Sequence, residues 1–285
     1  MTVDDFVESH RGPFPVAVLC SAIGHRRSTY YARRGSRHAQ SRLRRDAALA
    51  KDIASVRTGH NRPRGRRNVH EALQRKGKPA GERRIGRVMQ SLGWFGTPRS
   101  SRPRPPVPVR LIAHHDWVQR NYYAAGPNRL WWTDVTEIPT KHGVIYLAAI
   151  QDAFSRFIVG YAFGTSNDTD LAQRALAHAV RRRRPGRGLI HHSDQGSPYR
   201  SWAYQASLKD LGATASMGRT GTPGDNTCIE SWNSTLEREL LAFETFANHR
   251  QAETRVRGWI VHFNHRRFHS YLGRLTPAEY EAQHA

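Results

Sequence analysis

The sequence predicts an α/β core preceded by small all-α units. Residues 1–110 hold 25 Lys and Arg against 7 Asp and Glu, a net of +18, and their apolar residues recur at helical spacing. Residues 111–285 carry a net of only +4, and strand-like runs alternate there with helical ones. We expect five segments: helical segments 1–40 and 41–96, a linker 97–125, an α/β core 126–245 and a C-terminal helix with a tail, 246–285.

The first segment has the layout of a helix-turn-helix. VAVLCSAI predicts a short apolar helix, Gly24 a turn, and RRSTYYARR a second, basic helix opened by Ser28 or Thr29. Tyr30 and Tyr31 either face a nucleic acid or close a small core, and for each of them we favour the core.

The second segment, from about residue 44 to 96, predicts three more helices, in RRDAALAKDIASVR, RRNVHEALQRKG and GERRIGRVMQSLGWFG. Gly77 and Gly93 have the positions of helix stops. The basic run NRPRGRR at 61–67 is either a clamp on a phosphate backbone or a solvated loop. The apolar stripes that support the helices are Ala47, Leu49, Ile53, Val56, Val69, Leu73, Ile85, Val88, Met89 and Leu92.

Prolines at 98, 103, 105, 106 and 108 exclude a helix over TPRSSRPRPPVPVR and predict an extended spacer. The core then begins with three strand-like runs, NRLWWTDVTEIP, VIYLAAIQDAF and RFIVGYAFGT, which predict an antiparallel meander. A helix capped by Asp168 or Thr169 follows. After it we expect strand GLIHHSD, helix SWAYQASLKDLG, strand ATASMG, a long helix DNTCIESWNSTLERELLAF and a C-terminal helix with a compact tail.

Three acidic residues stand at different points of this core. Asp134 lies in a strand, Asp194 ends a strand and Glu230 lies on a helix, separated by 59 and 35 residues. Each alone is explained by ordinary placement on a surface or in a turn. Together they can bring three carboxylates to one point, where such groups hold divalent metal for phosphoryl chemistry. In a chain of net charge +22, that combination indicates an enzyme acting on nucleic acid.

The text of these motifs, and not only their spacing, resembles a known family. SDQGSPY, DNTCIES and the closing LTPAEYE occur in order, and FPVAVLCSAIGHRRSTYYARRG stands near the N-terminus. The chain resembles the second-frame (OrfB-type) transposases of the insertion-sequence IS-three family, whose core is shared with retroviral integrases. The resemblance covers nearly the whole chain, and with the order of elements it implies a ribonuclease H-like core, a five-stranded mixed sheet with flanking helices.

The resemblance also implies an activity. Asp134, Asp194 and Glu230 would be both the catalytic residues and the ligands of two Mg²⁺ ions, with Mn²⁺ as a substitute. The reaction would be cleavage at the 3′ ends of an insertion element and transfer of those ends into target DNA. Asp152 we interpret as support for a turn, and Glu137 as facing solvent.

We expect DNA contacts from basic residues and one amide, and a departure from the family appears among them. The family usually has Lys or Arg seven residues after its glutamate, whereas this chain has Glu237 there and Arg238 next to it. Asp225 and Asn226 could cap the helix that carries Glu230. The expected contacts are Arg26, Arg27, Arg62, Arg64, Arg66, Arg67, Asn226, Arg238, Arg266 and Arg267; packing of the tail is the equal alternative for the last two.

Composition limits the other classes. No apolar run is long enough to span a membrane, no secretory signal is evident, and Cys20 and Cys228 form neither a disulfide framework nor a metal pair, so we expect a bacterial cytoplasmic, nucleoid-associated protein. Sixteen histidines without Cys-x-x-Cys spacing do not indicate zinc. Expected partners are the terminal repeats and target DNA, a second copy of the chain and an upstream-frame (OrfA) product. The alternatives are a DNA-binding regulator with an inactive core and a structure-specific nuclease.

Overall fold

The computed structural model describes residues 3–33, 37–57, 65–94, 115–219 and 224–285. The chain divides into two compact units, Met1–Val56 with Ala72–Trp94 and Arg57–Glu71 with Phe95–Ala285. The expected segment boundaries stay predictions, and the linker residues 97–114 lie outside the described ranges. Within those ranges no helix has the length and apolar character needed to cross a membrane.

In the described residues before the sheet there are six helices: α1 (Val3–His10), α2 (Val16–Ala22), α3 (Arg27–Arg33), α4 (Arg37–Val56), α5 (Arg66–Arg75) and α6 (Glu82–Ser91). The helix-turn-helix pattern predicted α2 and α3, and Gly24 between them has a φ of +62°. The cap prediction was wrong: α3 begins before Ser28, and the Thr29 N–H donates to the Arg26 carbonyl.

α1 was not predicted, because only Val7 of its short, acidic sequence becomes fully buried. It closes a small core formed by Val7, Leu19, Cys20 and Tyr30. Tyr30 is buried and its hydroxyl donates to Glu8, whereas Tyr31 is 54% exposed. Of the two tyrosines, therefore, one has the core position that we favoured.

Buried Leu49 and Ile53 of α4 and Val88 of α6 confirm the predicted apolar stripes. The Asp46 carboxylate joins α4 to α6 by accepting from Arg84 and Arg87 at 2.8 and 3.0 Å, and these bonds, Arg84 first, lower the pKa of Asp46. Gly77 and Gly93, both with a φ of +67°, follow the ends of α5 and α6 as predicted. Ala47 and Leu92 are exposed, so the stripes are narrower than the sequence indicated.

A five-stranded mixed sheet forms the centre of the second unit, with the strand order β3-β2-β1-β4-β5. The strands are β1 (Leu130–Thr140), β2 (Gly143–Asp152), β3 (Ile158–Gly164), β4 (Ile190–Ser193) and β5 (Thr214–Met217). β1 to β3 pair as the predicted antiparallel meander, and β4 pairs in parallel with both β1 and β5. This is the ribonuclease H-like arrangement, as predicted.

Helices cover both faces of the sheet. They are α7 (Thr169–Arg183), α8 (Ser197–Arg200), α9 (Trp202–Asp210), α10 (Thr227–Glu239), α11 (His249–His265) and α12 (Pro277–His284). Successive strand residues point to opposite faces, so Trp131 packs into the core under α7 and α9 while Trp132 packs into the core under α10 and α11. The Asp168 side chain caps α7 by accepting from the Leu171 N–H, as predicted.

Two parts of the core differ from prediction. α8 was missed, because a four-residue helix has too few residues to show a period. The long helix expected at 225–243 ends at Glu239, and a 3₁₀ turn at Leu241–Phe243 follows. Leu240 between them leaves helical geometry with a φ of −130° and is buried, so burial of this leucine accompanies the break.

The close approach of β3 and α7 generates a stability prediction. A Cβ placed on Gly160 would lie 2.6 Å from both the Ala175 carbonyl and the Ala179 Cβ. Because backbone atoms cannot yield cheaply, Gly160→Ala should lower the free energy of unfolding by about 1–3 kcal/mol, measured by urea denaturation. Gly186→Ala, where nothing lies within 4 Å of the added Cβ, is the control and should stay within about 0.5 kcal/mol. Equal effects in the two variants would contradict the packing described.

Candidate active site

The parallel pairing of β1 with β4 brings Asp134 and Asp194 to the same level of the sheet. Trp132 lies opposite His192 in this pairing; Asp134 stands two residues further along β1, and Asp194 is the first residue after β4. Neighbouring strands are about 4.8 Å apart, and residues two apart share a face. The two carboxylates therefore occupy one edge of the sheet on the face that α10 covers.

The helix that carries Glu230 is tied to the same strand by two amides. Asn226 donates to the Thr133 carbonyl at 3.0 Å, and Asn233 donates to Asp134 Oδ2 at 2.8 Å. Glu230 lies between them, four residues after Asn226 and three before Asn233, a spacing that keeps the three on one helix face. This face is turned to Asp134, and Glu230 itself is exposed.

Burial raises the pKa of two groups at this edge, Asp194 and Tyr199. The Asp194 carboxylate accepts from the Gly196 N–H at 2.9 Å, yet surrounding protein atoms desolvate it and raise its pKa, although the residue keeps an exposed surface. The pKa of Tyr199 is raised well above its usual value, first by burial and then by the charge of Asp134, with a smaller contribution from Asp194. One hydroxyl therefore senses both carboxylates.

The donor chemistry of this edge fits a hard divalent cation, because all three side chains offer carboxylate oxygens. Among the described residues, however, no three His, Cys, Asp or Glu side chains are close enough together to hold a metal ion. The three carboxylates share one edge without forming a ligand cluster, and Asp134 is held instead by Asn233 and by the Val135 N–H.

Sequence reasoning missed a cluster beside the carboxylates that is centred on Asp225. Asp225 is 3% exposed and accepts from Arg219 Nε at 3.0 Å, from the Arg219 backbone N–H and from Arg120 Nε at 2.9 Å. These bonds, with Arg219 as the largest cause, hold the pKa of Asp225 well below its usual range. Arg120 is 105 residues away in sequence, so no local spacing could have revealed the pairing.

The cap expected from Asp225 and Asn226 is not present. Asn226 occupies the N-cap position of α10, but its side chain makes no capping bond to that helix. It is also buried, at 5% exposure, and bonded to Thr133, so the structure contradicts the DNA contact expected from it. The reason is that its amide anchors α10 to β1.

The other expected DNA contacts have different environments. Arg267 is committed to Glu239 through three hydrogen bonds of 2.9–3.0 Å, which favours packing of the tail over a DNA contact. Arg238 is partly buried and donates to the Thr235 hydroxyl. Arg62 and Arg64 lie outside the described residues. The exposed arginines are Arg26, Arg27, Arg66, Arg67 and Arg266.

Asp152 and Glu137, which we did not assign to the site, have the positions that we expected from the sequence. Asp152 is fully buried and accepts from the backbone N–H groups of Asn128 and Phe154 and from the Trp131 indole, so it supports the turn after β2. Glu137 faces solvent.

Known protein families match the part of the chain that contains this site. Two models described as "Integrase core domain" match residues 124–223 and 211–277. The transposase for insertion sequence element IS629 of Shigella sonnei is 34% identical over 95% of this chain and 93% of its own length. The transposase for IS904 of Lactococcus lactis is 32% identical over 82% of this chain and 93% of its own.

The chain belongs to the IS-three family of insertion-sequence transposases. The first matched region of this family member contains Asp134 and Asp194, and the second contains Glu230. Its function lies in DNA transposition and integration.

Solved structures resemble the chain more weakly. An intasome of simian T-cell lymphotropic virus is 17% identical, with a TM-score of 0.49, over 81% of this chain and 73% of its own. The catalytic core domain of the HTLV-2 integrase, solved in complex with magnesium, is 16% identical over 55% of this chain and 97% of its own, with a TM-score of 0.43.

The Asp225 cluster predicts a loss of stability in acid. A carboxyl whose pKa is lowered by folding stabilises the protein above its unfolded pKa, about 3.9, and that contribution is lost as pH falls further. Asp225→Asn should lower the free energy of unfolding by about 2–3 kcal/mol at pH 7, and the difference from wild type should shrink below about pH 4. Asp170→Asn is the control, because its pair with Arg174 is exposed; it should change stability by less than about 1 kcal/mol. A pH-independent difference for Asp225→Asn would contradict the charged pairing.

The pH dependence of stability expected from Asp194 is opposite to that expected from Asp225. Its pKa is raised by folding, so without a bound cation it destabilises the protein increasingly as pH rises from its unfolded pKa through its folded pKa. Asp194→Asn should therefore raise the urea midpoint of the metal-free protein at pH 7, with the gain vanishing near pH 3. Glu137→Gln removes the same charge from an exposed site and should not raise the midpoint. A midpoint unchanged by Asp194→Asn would refute the desolvated carboxylate.

Proposed function

We propose that this chain is a DDE-type polynucleotidyl transferase that cleaves the ends of its insertion element and joins each 3′-hydroxyl to target DNA. Asp134, Asp194 and Glu230 are its catalytic carboxylates. The observation that carries this proposal is the β1–β4 register together with the Asn233–Asp134 bond, since these bring two carboxylates level and turn the Glu230 face of α10 toward them. Membership of a transposase family supports the reaction class.

The three carboxylates would hold two Mg²⁺ ions, and Mn²⁺ would substitute, because hard oxygen donors suit these cations. When bound, the ions supply a lowered pKa for the attacking water or 3′-hydroxyl and stabilisation of the leaving oxygen. Burial raises the pKa of Asp194, a direction that a bound cation would reverse, and this supports a cation at this edge.

Other side chains would orient the carboxylates and bind the DNA. Asn233 orients Asp134 through its amide, which keeps the carboxylate directed at the shared edge. Arg120 and Arg219 are about half exposed and fixed on Asp225, so their outer N–H groups can bind backbone phosphates next to the carboxylates. Arg26, Arg27, Arg66 and Arg67 are exposed and would extend the contact with DNA.

Joining two element ends to one target requires two active sites, so we propose that the chain works as a dimer or larger oligomer on DNA. An upstream-frame (OrfA) product remains a proposed partner that would add further DNA binding. The proposed location is the nucleoid of a bacterial cytoplasm.

A catalytically inactive DNA-binding regulator is the second candidate, and Glu237 favours it. Glu237 is exposed on α10 seven residues after Glu230, where it shares the helix face of that residue and repels an approaching phosphate. Such a protein would bind element ends without cutting them.

The test is cleavage and joining of labelled DNA from the element's own ends, in Mg²⁺, in Mn²⁺ and in EDTA. Asp134→Asn, Asp194→Asn and Glu230→Gln should each lower the rate in Mg²⁺ at least about a hundredfold without weakening DNA binding, since each removes a carboxylate that would hold the ions at the reacting phosphate. Glu137→Gln, an exposed acid on the same strand as Asp134, should cut like wild type.

Cutting that persists in all three variants would refute these residues. Binding of ends by the wild type without cutting, also when an OrfA product is added, would establish the regulator instead.

A further inference from the structure

A cavity of about 680 Å³ lies in the second unit beside α10, apart from the carboxylate edge. Four arginines line it, and the described lining residues include no Asp or Glu. Hydroxyl and aromatic side chains form the rest of the wall. The arginines are Arg156, Arg238, Arg267 and Arg274.

The cavity keeps a net positive charge after its internal pairs are counted. Arg267 is paired with Glu239 at 2.9 Å, and Arg274 lies 3.9 Å from a carboxylate oxygen of Glu71. Arg156, by contrast, has no carboxylate within ion-pair distance in the described ranges, and its guanidinium lies 4.4 Å from the centre of the Tyr271 ring. The pKa of His269 on the wall is held well below its usual value by burial first and by Arg267 and Arg156 after it. The cavity therefore favours an anion.

The backbone conformation of Arg156 is unfavourable for an arginine. Arg156 has a φ of +63°, in the left-handed region where glycine or asparagine is cheaper by about 1 kcal/mol. Its N–H donates to the Asp152 carbonyl, and its own carbonyl accepts from Gln151, so the tight turn is built around this residue. An arginine in the left-handed region that also lines a cationic cavity is a functional signal.

The walls also have unused hydrogen-bonding capacity. Gln151 and Trp232 are each 2% exposed, and Gln151 Oε1 and Trp232 Nε1 have no hydrogen-bond partner among the described residues. Of the two, the Trp232 N–H is a donor and suits an anion, whereas Gln151 Oε1 only accepts and needs a donor such as water.

Adjacent faces of α10 border the cavity and the carboxylate edge. Thr227, Ser231, Thr235 and Arg238 line the cavity at spacings of four, four and three residues, which is one stripe of α10. Glu230 precedes Ser231 and lies about 100° around the helix from it. A helix with its side chains is about 10–12 Å across, so a DNA strand engaged at Glu230 would have the cavity within reach of a neighbouring nucleotide.

We propose that this cavity binds a backbone phosphate of the DNA strand held at the carboxylate edge, with Arg156 as its principal ligand and Arg238 beside it. The inference rests on the proposed function, since it needs DNA at Glu230. Guanidinium groups match phosphate oxygens in geometry, and a phosphodiester that continues from the active site satisfies both the charge and the position of the cavity.

The test is binding of element-end DNA in EDTA, with single phosphates replaced in turn by neutral methylphosphonates. Wild type should lose about tenfold in affinity at one or two phosphates next to the cleavage position. Arg156→Gln and Arg156→Gly should lose about tenfold on unmodified DNA and no longer respond to those replacements. The salt dependence of log K should also fall by about 0.9 in slope.

Arg156→Gly keeps the turn, because glycine accepts a positive φ, so loss of folding cannot mimic the result. Arg250→Gln is the control, an exposed arginine on α11 that removes the same charge and should leave the methylphosphonate pattern unchanged.

Arg156 variants that bind and respond like wild type, while wild type cuts in Mg²⁺, would overturn the phosphate site and leave the proposed function standing. The phosphate site would also be overturned if a free mononucleotide bound in the cavity and the methylphosphonates had no effect on wild type. If wild type neither binds nor cuts element ends, the proposed function falls and the phosphate site falls with it.

Discussion

The parallel pairing of β1 with β4 is the constraint on which the rest of the site depends. Because side chains alternate along a strand, a shift of one residue in this register would send Asp194 to the face covered by α7 and α9, away from Asp134. The register is held on both sides: Trp131 and Trp132 are fully buried in opposite cores, and His192 packs edge-on against Trp132. The two hydrophobic cores thus fix the position of two charges.

Two buried or desolvated aspartates near the edge have opposite environments, and this separates their roles. Asp225 is surrounded by guanidinium groups and N–H donors, so its charge is satisfied and it locks the start of α10. Asp194 receives one backbone N–H and loses solvation, so its charge is costly in the absence of a cation. A group that weakens the folded protein unless something binds to it is a functional candidate, whereas a satisfied group is a structural one.

Local patterns were sufficient for most elements of the core. Alternation in LWWTDVTEIPT and helical spacing in TDLAQRALAHAV are properties of neighbouring residues, and β1 and α7 appeared as expected. Motif text, through the family, selected Asp134, Asp194 and Glu230; the β1–β4 register brings the first two level, and the role of all three stays a prediction. Motif text did not predict the environment of Asn226, which bonds to Thr133, 93 residues earlier. It did not predict the Arg120–Asp225 pair either, because such contacts form only when the chain folds.

The difference between a linear motif and the folded structure also matters for Glu237, which stands where the family usually has a basic residue. Read as a linear motif, the exchange removes positive charge from the face of Glu230. In three dimensions the next residue, Arg238, turns toward the arginine-lined cavity, where Arg156 already lies on a turn that is far away in sequence. If a phosphate occupies that cavity, the cation that the family places seven residues after its glutamate is supplied here from the adjacent stripe of the helix and from the β2–β3 turn. Glu237 then stands beside the path of the strand, and the positive charge of Arg156 and Arg238 in the cavity opposes its repulsion.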